Sequence, residues 1–299
     1  MQLRIENLFK RYPNGTQALH DVSLEVPLGL FGLLGPNGAG KSTLMRTLAT
    51  LQEADSGRAF LGDIDVLRQK DAVRRVLGYL PQEFGLYPKV TAEDLLAHFA
   101  LLKGVSSARE RQEVVRALLH QTNLYEHRHQ ALGSFSGGMK QRFGIAQALL
   151  GSPQLIIVDE PTAGLDPEER VRFHNLLSAI GENIIVILST HIVSDVSDLC
   201  RAMAIIHEGR VRVTGNPLRL VADLEGKIWR KAVTPSEVAS YRERLQLISM
   251  RLFAGQTVLH VLSEQQPEAD FERAAPDLED LYFATIKGFI HRSAAGRVN

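Results

Sequence analysis

At 299 residues, 44% of them hydrophobic and 23% charged, the chain is long enough for one large domain and a smaller one. Lysine plus arginine (34) equals aspartate plus glutamate (34), which excludes a global basic field that would draw the protein to nucleic acid or anionic lipid. The longest apolar runs, such as 155–158 and 184–188, fall far short of the ~20 residues a membrane helix needs, and a single cysteine, Cys200, excludes an internal disulfide and fits a reducing cytosol.

Residues 2–26 alternate apolar and polar positions (Leu3 and Ile5, then Val22, Leu24 and Val26) around the turn Pro13-Asn14-Gly15, the pattern of half-buried antiparallel strands; no signal-peptide apolar block is present. The apolar run 30–34 reads as a core strand feeding GPNGAGKS, residues 35–42, before a helix-like run to 50. Short strands are expected on either side of Gly62 and over 76–80. From 91 to about 150 the period becomes helical (Leu95, Leu96, Phe99, Leu102; Val114, Val115, Leu118, Leu119), so a helical subdomain, about 83–150, is inserted into an α/β core. Strands over 155–158, 184–188, 203–206 and 211–213 then alternate with helices, one of them started by Asp166 as N-cap and Pro167 in its first turn. Alternating strands and helices imply a largely parallel sheet with helices on both faces and ligands at the strands' C-terminal ends. The regular pattern loosens at Asn216-Pro217, and residues 225–292 read as a small α+β domain with helices near 236–245 and 278–289; 293–299 read as a polar tail.

GPNGAGKS has the form of a phosphate-binding loop. Gly35, Gly38 and Gly40 let the backbone curl so that successive N–H groups point inward, with Pro36, Asn37 and Ala39 between them. Lys41 reaches the β- and γ-phosphates in such a loop, Ser42 ligates Mg²⁺, and Thr43 continues the anion-binding helix N-terminus. The strand 155–158 ends in Asp159-Glu160, where Asp159 would hold Mg²⁺ and Glu160 would polarise an attacking water. SFSGGMKQR, residues 134–142, is a second glycine turn opening a helix, hence a second anion-binding N-terminus. One mononucleotide does not need two such loops on one subunit.

This combination resembles the ATP-binding cassette (ABC) ATPases, in which the serine-glycine-glycine loop of one subunit covers the γ-phosphate held by another. The family's LSGGQ reads FSGGM here, with Phe135 and Met139 at the outer positions and Ser136, Gly137 and Gly138 intact. The resemblance spans residues 1–220 and implies a P-loop NTPase (RecA-like) core with an N-terminal antiparallel β-subdomain and an inserted α-helical subdomain. It further implies that Tyr12 stacks on adenine, that Gln82 senses Mg²⁺ and the attacking water, that Asp166 crosses a dimer interface, and that His191 bonds the γ-phosphate. The implied protein is the ATP-hydrolysing subunit of a transporter, binding ATP and Mg²⁺, pairing with a second copy of itself and driving a separate membrane permease from the cytoplasmic face. The stretch LGYLPQEFGLYPKVTAEDLL and the C-terminal domain are similar to export-type (ABC-2) subunits. The competing reading is a soluble ABC ATPase serving ribosomes, DNA or iron–sulfur assembly. It is disfavoured by a single cassette, by the short interval between Ser42 and Ser136 and by the charge balance.

Overall fold

The computed structural model describes residues 1–82 and 85–290. β1 (Leu3–Arg11) and β2 (Gln17–Val26) pair antiparallel and bury alternate residues, among them Leu3, Ile5, Val22 and Leu24. β3 (Gly29–Leu34) delivers residues 35–40 to the first turn of α1 (Lys41–Leu48). β4 (Ser56–Leu61) and the short β5 (Ile64–Asp65) complete a sheet in the order β2-β1-β4-β5, and α2 (Lys70–Val76), which the sequence reading did not anticipate, leads into β6 (Leu77–Leu80). Three helices follow, α3 (Ala92–Leu102), α4 (Ala108–Gln121) and α5 (Gly137–Ala148), the first two capped by Thr91 and Ser107. Strand and helix then alternate through β7 (Leu155–Asp159), α6 (Pro167–Ile180), β8 (Ile185–Thr190), α7 (Val193–Leu199), β9 (Ala202–His207) and β10 (Arg210–Gly215).

The central sheet has the order β10-β9-β3-β8-β7-β6, parallel throughout except for β10. Because side chains alternate along a strand, Leu155 and Ile157 enter one core while Ile156 and Val158 enter the other, so continuous apolar runs fit strands covered on both faces. Gly32 of β3 lets α7 come close, since a Cβ there would stand 2.7 Å from the Val196 side chain. Register brings the ends of three strands together. Leu34 pairs with Thr190 and Asp159 with Ser189, so the loop after β3, residue Glu160 and residue His191 leave adjacent strands at the same end.

The inserted helices close on a third core of Leu95, Leu96, Val115, Leu119 and Phe143, and α5 also packs against β6. After β10, Asn216 accepts a hydrogen bond from the Arg219 amide and Pro217 occupies the first turn, so the dipeptide read as a loosening of the pattern instead starts α8 (Pro217–Ala222). β11 (Ile228–Val233), α9 (Val238–Arg244), β12 (Gln246–Phe253), β13 (Gln256–Leu262) and β14 (Glu272–Arg273) form a sheet in the order β12-β13-β11-β14 with one helix, followed by α10 (Leu278–Ile286). Trp229, Tyr241, Leu259 and Phe271 make this unit's own small core, whereas Ile228, Ile248 and the α10 residues Leu278, Leu281 and Tyr282 join the core that holds α6 and α7. The C-terminal sheet is thereby seated on the larger unit through α10, which touches α7, α8 and β9. The segment 293–299 lies outside the described residues.

Candidate active site

Residues 35–40 form a tight curl whose glycines are required by space and by backbone angle. A Cβ on Gly35 would stand 2.4 Å from the Ile206 carbonyl oxygen; Gly40 has φ 106°, and a Cβ there would stand 2.5 Å from that of Ala18. Gly38, at φ 79°, faces open space, so its demand is conformational alone. Gly40→Ala is therefore expected to destabilise the fold by at least about 2 kcal/mol, through a forbidden backbone angle plus overpacking against immobile backbone. Urea unfolding measures this, and an unchanged midpoint would contradict it.

Lys41 begins α1 and folds back over the curl, donating to the carbonyl oxygens of Gly35 at 2.7 Å and Pro36 at 3.3 Å, with Glu160 Oε1 at 3.4 Å. Burial pushes its ammonium pKa down, against the opposing pull of Glu160 and Asp159. Pro36, Asn37 and Ala39 fill the rest of the curl, Ser42 is exposed on the first turn of α1, and Thr43 accepts or donates a 3.2 Å bond with the Tyr12 hydroxyl. That hydroxyl also donates to Gln52 Oε1 at 3.1 Å, which fastens Tyr12 beside the phosphate-type loop.

Glu160 is the hub of the strand ends. It is buried, has φ 50°, donates its amide to the Ser189 carbonyl at 2.8 Å, and places Oε2 2.8 Å from His191 Nδ1. A non-glycine residue in that backbone region is strained and persists only where neighbours enforce it. Lys41 and His191 thus reach Glu160 from two sides. The His191 ring remains 44% exposed and can reach a ligand above the strands. Asp159 is buried, and its Oδ1 has no hydrogen-bond partner among the described residues. A buried carboxylate oxygen left without a donor at the end of β7, the strand that packs against α1 with its exposed Ser42, fits a hard, oxygen-ligated cation such as Mg²⁺. Gln82 is exposed just past β6, beside residues 83 and 84, which lie outside the description.

Ser136, Gly137 and Gly138 lie elsewhere, at the start of α5. Ser136 Oγ caps the helix by accepting from the Met139 amide at 3.2 Å, and Gly137 is exposed with nothing near its would-be Cβ. Gly138 is buried against Glu169, which pairs with Arg142 at 3.3 Å. The two departures from the usual motif are packing choices, since Phe135 is buried and Met139 half-buried in the helical core. Asp166 caps α6, accepting from the Glu169 amide at 2.8 Å, as its position before Pro167 implied.

The sequence reading missed Asp195, which is fully buried and bonded to Thr162, two residues after Glu160, and to Thr190, next to His191. Its signal was faint: an acid on a short helix four residues after His191 looks like any solvated helix acid until the fold buries it. Cys200 does behave as a small core residue, and burial pushes its thiol up to about 12.

The family model described as ABC transporter matches residues 19–163, from within β2 to just past Glu160. Among curated proteins, the chain is 32% identical over 299 residues to the uncharacterized ABC transporter ATP-binding protein YxlF of Bacillus subtilis, covering 95% of this chain and 99% of YxlF. It is 35% identical over 245 residues to the daunorubicin/doxorubicin resistance ATP-binding protein DrrA of Streptomyces peucetius, covering 81% of this chain and 74% of DrrA. Among solved structures, the ATP-binding cassette MJ0796, a dimer in a post-hydrolysis state bound to ADP and Pi, aligns with a TM-score of 0.65 and 25% identity over 72% of this chain and 98% of that one.

Proposed function

Because the chain belongs to the ABC transporter family of ATP-binding subunits, and is thus an ATPase that powers a transporter, we propose how its own residues bind and hydrolyse ATP and what they drive. The observation that carries the reading is Glu160, held between Lys41 and His191 at the mouth of the phosphate-type loop. The curl from Gly35 to Gly40 presents its amides to the phosphates, Lys41 turns from the Gly35 and Pro36 carbonyls to the β- and γ-phosphates, and Tyr12 stacks on the adenine. Ser42, Gln82 and Asp159 would hold Mg²⁺, which would supply charge neutralisation at the phosphates. Glu160 takes a proton from the water that attacks the γ-phosphorus as the bond to the ADP oxygen breaks, and His191 holds the departing phosphate by a hydrogen bond.

Ser136 to Gly138 complete the site on a second copy, which the exposure of Gly137 at a helix N-terminus supports, with Asp166 at the same interface. No described helix is long and apolar enough to cross a membrane. The likeness to proteins named as ATP-binding proteins of transporters supports a separate permease as partner, reached from the cytoplasmic face. The likeness to DrrA, a drug-resistance protein, supports export. Co-expression with candidate multi-span permeases tests this: the chain should move from the supernatant to the membrane pellet with its own permease and not with others. Co-purification with ribosomes or DNA instead would overturn the transport role.

A further inference from the structure

Asp195 lies on the first turn of α7 with no exposed surface. Its Oδ2 accepts from the Thr162 hydroxyl at 2.5 Å and the Thr190 hydroxyl at 3.3 Å. Its Oδ1 accepts from Arg170 Nε at 2.9 Å, Arg170 Nη2 at 2.7 Å and His174 Nε2 at 2.9 Å. Burial opposes ionisation of this carboxyl, but the bonds from His174, Thr162 and Arg170 outweigh it and hold the group below the ordinary aspartate value.

Stability alone gives little reason for this arrangement, because a buried ion pair is often replaceable by well-packed apolar residues without loss. What a carboxylate does here is tie specific chain segments. Thr162 stands two residues after Glu160, and Thr190 directly precedes His191. Thr190 Oγ1 also accepts from the Ile192 amide at 2.9 Å, which bends the chain just past His191. Arg170 and His174 anchor the same carboxylate to α6. Glu160 itself sits at φ 50°, a strained angle that needs its flanks fixed.

We propose that Asp195 is a positioning residue for hydrolysis, a buried clamp that sets the Glu160 and His191 side chains against each other by holding Thr162 and Thr190. The proposal rests on the reading of Glu160 as the base. Outer partners that orient the ligands of a metal site typically change activity about 10–100-fold when removed, and a clamp behind a catalytic base is expected to act on the same scale. Asp195→Asn keeps shape but weakens the bonds to Arg170 and His174, and Thr162→Val removes one tie while leaving the buried charge paired.

The test measures kcat and KM for Mg·ATP, affinity for a fluorescent ATP analogue, and thermal unfolding, for Asp195→Asn, Thr162→Val, Glu160→Gln and the double variants with Glu160→Gln. Expected is a kcat about 10–100-fold lower for Asp195→Asn and several-fold lower for Thr162→Val, with KM and analogue affinity unchanged. Combined with Glu160→Gln, neither should lower the residual rate further, since a clamp acts only through the residue it positions. Unchanged kcat in Thr162→Val, or an equal further loss in the double variants, overturns the proposal. If Asp195→Asn fails to fold, Thr162→Val decides alone. Near-normal hydrolysis by Glu160→Gln refutes the base assignment instead, whatever Asp195 does.

Discussion

Glu160→Gln is expected to lower ATP turnover by about 100-fold or more, the range for a lost general base, while leaving ATP binding intact. The substitution is nearly isosteric, and its amide oxygen can still accept from Lys41, so the cradle of Gly35, Pro36 and Lys41 keeps its shape. What is lost is the carboxylate proposed to take the proton of the attacking water. Unhydrolysed nucleotide should then hold two copies together, so size-exclusion chromatography with Mg·ATP should show a persistent dimer that the unaltered protein forms only in passing. Phosphate release near the unaltered rate would remove Glu160 from the chemistry.

Lys41→Met separates binding from stability. Lys41 is almost wholly buried, and its ammonium pKa lies below its ordinary value because burial outweighs the nearby carboxylates. A lysine with a depressed folded-state pKa costs the fold stability wherever it is charged. That cost is present below the folded pKa and is relieved as pH rises through it toward the unfolded value. At neutral pH the variant should therefore unfold at the same or a higher temperature than the unaltered protein, provided that Glu160 keeps its bond to His191. The charge-assisted bonds proposed for Lys41 to the phosphates, worth about 1.5–3 kcal/mol each, would disappear. ATP affinity should fall by at least about tenfold to a hundredfold, since about 1.4 kcal/mol is a factor of ten. Thermal unfolding with and without Mg·ATP reads both effects, and an undiminished ATP-induced shift would show that Lys41 does not hold the phosphates.

Much of this was legible in the residues because the chemistry is local. A phosphate loop needs glycine at fixed intervals, and Gly35 and Gly40 do abut the carbonyls of Ile206 and Ala18, which neither spacing nor motif could identify. Asp166-Pro167 announced a helix start that the structure realises in α6. The same grammar at Asn216-Pro217 was passed over because the helix it opens is a single short segment with little apolar periodicity. α2 was missed for the same reason: it buries only Val73. Asp195 was beyond sequence pattern, because its importance comes from partners 5, 21, 25 and 33 residues away, brought together only by the pairing of β7 with β8 and the packing of α6 on α7. The C-terminal unit showed its own strands in the sequence, but not that α10 would share a core with α7.

The shared site between two copies is tested most directly by cross-linking. Cys200 is buried with its thiol pushed up to about 12, so it does not compete for a cysteine reagent. In a Glu160→Gln background, chains carrying Asn37→Cys and chains carrying Gly137→Cys would be mixed with a short bis-maleimide, with and without Mg·ATP. Both positions are exposed. The expected result is a covalent dimer of one chain of each kind that forms only with ATP. Absence of that dimer while ATP is bound would contradict a nucleotide held between the phosphate loop of one copy and the serine-glycine-glycine loop of the other.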